Sequence, residues 1–220
     1  MNVCGFGSVA VEVQSLGFCW PNGQVVCAAW SAHLLPGLTL LVGGDGAGKT
    51  TRLRLLASAC QPQSGQLVLT LGADSPKPVT LTAWPTPADY RRQVFWCDPA
   101  SDALDGLLAE QYADHHRAAQ RLWREEAFED LLVELGLQGH LGKPLLGLSM
   151  GMRRKLRLAC ALASGAAVTL IDDPMAALDH RSCTLVSELL ADCATSSQRV
   201  FVSTAHGMPP TEWGANAIAL

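Results

Sequence analysis

The chain has 220 residues, 49% of them hydrophobic, with a formal net charge of -4. That is enough apolar side chain for one well-packed domain with a smaller lobe, and the acidic balance removes any general electrostatic reason to bind nucleic acid. The longest apolar stretches, "HLLPGLTLLVGG" and "LACALASGAAVTLI", are broken by Pro, Gly or Ser before they reach the length of a membrane-crossing helix.

In chain order, "SVAVEVQ" alternates apolar and polar residues, while "QVVCAAW" and "LTLLV" are apolar runs; all three read as strands. "GGDGAGKTT" follows directly at residues 43–51, and no Lys or Arg precedes Lys49, which argues against a targeting peptide. Its spacing, G-x-x-x-x-G-K-T with Gly43, Gly48, Lys49 and Thr50 at the fixed places, is that of a phosphate-cradling loop. Glycines let the backbone curl so that N–H groups converge on phosphate oxygens, Lys49 supplies a point charge, and Thr50 offers a hydroxyl to Mg²⁺. "TTRLRLLASAC" has leucines at helical spacing, which sets the phosphates at a helix N-terminus. "SGQLVLTLG" is a turn and a strand, and the Pro-rich residues 75–87 read as a loop with edge strands.

Residues 104–137 change to a helical pattern, with charges on one face and leucines on another. Within it His115 and His116 are adjacent, so they cannot share a helix face as paired metal ligands do, and both read as solvated. "GKPLLGLSMG" closes this stretch. A helix ("SMGMRRKLRLACALA"), a buried strand ("AAVTLIDD"), a helix ("RSCTLVSELLADC") and two strands ("RVFVSTA", "ANAIAL") follow. Strand alternating with helix implies a mainly parallel sheet with its ligand at the strands' carboxyl ends. "VTLIDDP" ends such a strand in Asp172 and Asp173, where one carboxylate can hold Mg²⁺ beside the phosphate loop and its neighbour can orient an attacking water. The 8 cysteines form no C-x-x-C pair and fall inside apolar patterns, as small buried side chains in a reducing compartment do.

At "LSMGM", "AALD" and "VFVSTAHG", taken with the loop and the paired acids, the chain resembles the nucleotide-binding domain of ATP-binding cassette (ABC) proteins over essentially its whole length. "LSMGM" is similar to the family's LSGGQ signature with Ser149 and Gly151 kept, "AALD" with Asp179 to the D-loop, and His206 to the switch histidine. "LGFCWPNG" is similar to the aromatic loop, where Trp20 or alternatively Phe18 would stack on adenine; a plain strand aromatic is the other reading. The resemblance implies an α/β P-loop NTPase fold. Its RecA-like, mainly parallel core and N-terminal antiparallel β subdomain would span about 1–97 and 149–220, and its helical subdomain about 98–148. ATP and Mg²⁺ are the implied cofactors. Gly43, Gly46, Ala47, Gly48, Lys49, Thr50 and Thr51 would surround the phosphates, Thr50, Asp172 and Asp98 would face the metal, Asp173 would orient water, and His206 would contact the γ-phosphate. Ser149, Gly151 and Asp179 would serve ATP held by a second cassette, identical or different, paired head to tail.

The chain departs from the family pattern in four places. Asp173 stands for the usual Glu and is one methylene shorter; Asp98 stands where a metal-touching Gln is usual; Met150 and Met152 replace Gly and Gln in the signature. Asp45 makes "GDGAGKTT" similar to the loop of ABC-2 type exporters. The implied function is an ATP-hydrolysing subunit, cytoplasmic and peripheral on the membrane, that drives a separate membrane-spanning subunit and binds no nucleic acid. One alternative is a cassette that responds to ATP with weak or no hydrolysis, which Asp173, Asp98 and Met150 favour and Lys49, Thr50, Asp172, Ser149 and His206 oppose. Another is a non-transport cassette of DNA repair or translation, which usually carries a second cassette, a coiled coil or a basic arm.

Overall fold

The computed structural model describes residues 8–85, 87–99, 101–206 and 213–220. The first residues of the chain, on which the targeting-peptide expectation bears, lie outside that set. Strands β1 (Val9–Cys19), β2 (Val25–Leu34), β4 (Ser64–Leu71) and β5 (Val79–Thr82) form an antiparallel sheet in the order β2-β1-β4-β5. Val9, Val11 and Val13 of β1 are buried while Glu12 and Gln14 are exposed, the two-residue period of a half-covered strand. At Ser15, with φ 50, the register against β4 slips, and Leu16, Gly17 and Phe18 are buried in succession. This bulge bends β1 and carries the chain on to Trp20.

Strands β3 (Gly37–Val42), β6 (Val94–Trp96), β7 (Val168–Ile171), β8 (Val200–Ala205) and β9 (Asn216–Ala219) form a second, wholly parallel sheet in the order β6-β7-β8-β3-β9. Every residue of β3 and β7 is buried, as expected of parallel strands covered on both faces. Helix α1 (Lys49–Leu56) lies between the sheets: Leu53, Leu55 and Leu56 are fully buried among Leu16, Leu67 and Leu69 on one side and Val168, Val200 and Val202 on the other. Helices α3 (Ala109–Ala119), α4 (Glu125–Glu134), α5 (Met150–Ala163) and α6 (His180–Ala194) share the second core, which takes Leu38 and Leu40 of β3 while Leu41 points to the first. The parallel sheet is the one that alternating strand and helix implied, and together with the antiparallel sheet and the helices it gives the α/β P-loop NTPase architecture that the resemblance implied. Among the described residues no helix is long and apolar enough to cross a membrane.

Three local features differ from the sequence expectation or go beyond it. The helical stretch is two helices, because Arg124 is pinned to the end of α5: its N–H donates to the Ala163 carbonyl at 2.9 Å and its guanidinium to the Leu162 carbonyl at 3.1 Å. His115 is exposed, but His116 is not solvated. Its ring packs 4.6 Å from Tyr112 and 5.1 Å from Phe95, with Nε2 3.6 Å from Cys97 Sγ. Burial pulls its pKa down to about 4 and pushes the Cys97 thiol up to about 11, so a neutral imidazole faces a thiol. The short β6 and α2 (Pro87–Arg91) are the third feature, too brief to show a period.

Candidate nucleotide-binding site

The carboxyl ends of β3 and β7 and the start of α1 surround a cleft of about 470 Å³. Gly48 caps α1 at φ 81, and a Cβ there would lie 2.5 Å from Val26 Cγ1 and 2.9 Å from Arg52 Nη1, so backbone conformation and space both require glycine. Lys49 Nζ donates to the carbonyls of Gly43 at 2.6 Å and Gly44 at 2.8 Å, which holds the ammonium against the loop. Gly46, Ala47, Gly48, Lys49, Thr50 and Thr51 line the cleft on this side, with Trp20 beside them. Phe18 meets the Trp20 ring edge-on at 4.9 Å but is itself buried, so Trp20 is the aromatic that reaches the cleft.

Asp172, Asp173, Thr204, His206 and Arg154 line the opposite side. Thr50 Oγ1 donates to Asp172 Oδ2 at 2.8 Å; Thr204 Oγ1 donates to Asp172 Oδ1 at 2.8 Å and accepts the Asp173 N–H at 2.7 Å. The Thr50 hydroxyl and the Asp172 carboxylate thus stand together as hard oxygen donors, a set that fits Mg²⁺. Asp173 has φ 44, a left-handed conformation that a short Asp tolerates better than most side chains. Its carbonyl accepts from Arg154 Nη1, and its carboxylate lies 3.7 Å from the same guanidinium. His206 Nδ1 lies 3.5 Å from Asp45 Oδ1.

Five of the predicted residues do not line the cleft. Gly43 stands at the start of the loop, where its carbonyl accepts from Lys49 and a Cβ would lie 2.9 Å from that of Ala47. Ser149 caps α5, its Oγ accepting the Met152 N–H at 3.2 Å, and in the same turn a Cβ on Gly151 would come within 2.8 Å of the Ala177 carbonyl. Asp179 caps α6 by accepting the Ser182 N–H at 2.9 Å; that bond first, and the Ser182 hydroxyl second, hold its carboxyl below the usual range. The Gly151–Ala177 approach and the Lys155–Asp179 pair at 3.9 Å join these two caps in one surface apart from the cleft. Asp98 is paired with Arg54 at 3.1 and 3.3 Å and borders a neighbouring cleft of about 290 Å³, while Pro99 borders the first.

The sequence expectation passed over Thr204, Arg154 and Arg52. Thr204 leaves a trace in "VFVSTAHG", where hydroxyls interrupt a buried strand just before His206 and must find partners. The two arginines leave none, since an Arg on a helix is ordinarily exposed. Arg52 is 8% exposed and donates to the Ala47 carbonyl at 2.8 Å, and burial lowers its pKa.

The sequence profile of the family described as ABC transporter matches residues 35–176. The cytochrome c biogenesis ATP-binding export protein CcmA of Pseudomonas fluorescens is 29% identical over 164 residues, 74% of this chain and 74% of that protein. The ABC-type transporter kk1G of Curvularia clavata is 27% identical over 212 residues, which is 92% of this chain and 15% of that protein. The chain spans only 10 to 15% of the length of the first curated relatives it matches. Among solved structures, the ATP-binding subunit of an ABC transporter superposes with a TM-score of 0.71 at 22% identity, covering 89% of this chain and 79% of the other, a likeness of fold. With the family profile matching well over half of its residues and the phosphate loop set in a fold of that kind, the chain belongs to the ABC transporter family.

Proposed function

We propose that the chain is the ATP-binding and ATP-hydrolysing subunit of an ABC transporter. It binds ATP with Mg²⁺, pairs head to tail with a second cassette, and drives a separate membrane-spanning subunit from the cytoplasmic face of the membrane. The observation that carries this reading is the convergence of Trp20, residues 45–51 of the loop, the Thr50–Asp172 pair and Asp173 on one cleft. Trp20 stacks on adenine. The loop's N–H groups and the N-terminus of α1 hold the phosphates, and Lys49 turns from the loop carbonyls to the outer ones. Thr50 and Asp172 hold the metal; bound Mg²⁺ spreads the phosphate charge while ATP supplies the phosphoryl group passed to water. Asp98, held by Arg54 beside the neighbouring cleft, is the third proposed metal ligand. Asp173 orients the water and His206 stabilises charge at the γ-phosphate. Ser149, at the positive end of α5, together with Gly151 and Asp179, serves the ATP of the partner cassette. An exporter subtype rests on Asp45 and Met152 alone.

A second reading, ATP binding with little turnover, draws support from the Arg154 contact, which pulls the already short Asp173 side chain toward α5. The first test is nucleotide binding. Lys49→Ala is expected to lose measurable affinity for a fluorescent ATP analogue while keeping its circular dichroism spectrum and melting temperature. Equal binding by the folded variant overturns the phosphate-loop assignment.

A further inference from the structure

Arg52, the third residue after Lys49 on α1, has no part in the chemistry proposed above. Its guanidinium is buried beneath the phosphate loop: Nη1 donates to the Ala47 carbonyl at 2.8 Å, Nη2 to the Val26 carbonyl at 3.3 Å, and the group lies 5.4 Å from the centre of the Trp30 ring. Nε is buried with no hydrogen-bond partner among the described residues. Among the described residues no carboxylate is paired with it; its polar contacts are neutral carbonyls and the neighbouring ionisable group is the Cys27 thiol. A buried cation without a counter-charge is a costly arrangement in a folded protein. It is also close to the cleft that would receive the negative charges of a polyphosphate, because Val26, Ala47 and Gly48 all line that cleft.

The bond to Ala47 has a geometric consequence. In a trans peptide the carbonyl oxygen and the next N–H point in opposite directions. Holding the Ala47 carbonyl toward the guanidinium therefore turns the Gly48 N–H away from it. The second bond, to Val26 on β2, ties the sheet that leads to Trp20 to the phosphate loop.

We propose that Arg52 is a positioning residue for polyphosphate binding, which fixes the Ala47–Gly48 peptide and whose buried charge is balanced only when the phosphates are bound. The proposal rests on the nucleotide-binding reading of the cleft. It makes two effects run in opposite directions. Removing the charge relieves an unbalanced cation in the ligand-free protein, and it withdraws attraction and loop geometry from the bound one. A purely structural arginine would instead lower stability and leave the affinity of the folded protein alone.

The test uses the full chain with Arg52→Leu and Arg52→Met, measuring the ligand-free melting temperature and the affinity for MgATP, tripolyphosphate and AMP by titration. Both variants are expected to melt about 2–4 °C higher without ligand. They should bind ATP and tripolyphosphate about tenfold more weakly, with a smaller loss for AMP, which carries less charge. Arg52→Lys keeps the charge without the planar fork and is expected to recover part of the loss. Wild-type affinity for ATP and tripolyphosphate in the Leu and Met variants overturns the proposal alone. A wild-type protein that binds neither ligand overturns the nucleotide-binding reading with it. Should the Leu and Met variants not fold, the Lys variant decides: a lower melting temperature with unchanged ATP and tripolyphosphate affinity overturns it.

Discussion

The carboxylate of Asp172 accepts hydrogen bonds from the hydroxyls of Thr50 and Thr204, each at 2.8 Å, whereas among the described residues that of Asp173 meets only the Arg154 guanidinium, at 3.7 Å. Charge-assisted hydrogen bonds of the first kind are short and hold a side chain in one orientation, which suits a metal ligand. A half-exposed ion pair of the second kind is worth about 0–1 kcal/mol, so water and substrate can redirect the Asp173 side chain. In the proposed mechanism Asp173→Asn therefore keeps ATP affinity, stops turnover and traps a dimer with ATP at its interface. Phosphate release and dimer mass, measured with the membrane partner present, check this. A wild-type rate that survives the substitution moves the water-orienting role to another residue, with His206 the first candidate. Asp173→Glu extends the reach by one methylene and is expected to raise the rate, because about one ångström of misplacement can cost about a hundredfold.

Helices α3 and α5 each carry one side chain that decides a property of the whole element. Ser149 satisfies the Met152 N–H at the start of α5. Ser149→Ala should cost about 1 kcal/mol of stability, or about 2–4 °C in melting temperature for a chain of this size, and also reduce turnover without weakening ATP binding to the monomer. Unchanged turnover with the expected melting shift would leave Ser149 a cap and nothing more. On α3, burial lowers the His116 pKa from 6.5 to about 4. The unfolded chain takes up this proton as pH falls below 6.5, while the folded chain resists until about 4. Stability is therefore complete above the unfolded value and declines between the two, by at most about 1.4 kcal/mol per pH unit. His116→Gln removes the titration, and its denaturant midpoint should fall less than the wild type's between pH about 7 and pH about 5. An equal fall in both proteins places the acid sensitivity in other groups.

Across the whole molecule, the nucleotide cleft and the surface carrying the caps of α5 and α6 are separate. A second copy or a related cassette, set head to tail, would bring one against the other. Met150, next to Ser149 at the start of α5, is strongly exposed and gives that surface an apolar element suited to a partner. The cleft of about 290 Å³ beside Asp98 lies where α3 meets the parallel sheet and is lined by Trp96, Leu104, Tyr112 and His116. In the proposed function it receives a segment of the membrane-spanning subunit. A photo-crosslinker placed at Ser101, on the rim of this cleft, is expected to capture a membrane-spanning protein from native membranes. Recovery of soluble proteins or nucleic acid alone would count against that partner.

The phosphate loop, the paired acids and most strands and helices were legible in the sequence because each is encoded locally. Glycines that permit left-handed backbone, a lysine and a threonine at fixed spacing, and apolar periods of two or 3.6 residues act within a few positions along the chain. Contacts between distant segments left no such record. The pairing of Asp98 with Arg54, the half-burial of His116 beside Phe95, the Arg154 contact to Asp173 and the burial of Arg52 under Ala47 each depend on which element lies opposite. The choice between Trp20 and Phe18 was of the same kind: Phe18, within β1, is turned into the core, whereas Trp20, just past the end of that strand, reaches the cleft. Charge and polarity of a side chain are written in its identity, but its burial and partners are set by packing, and packing joins residues that the chain order separates.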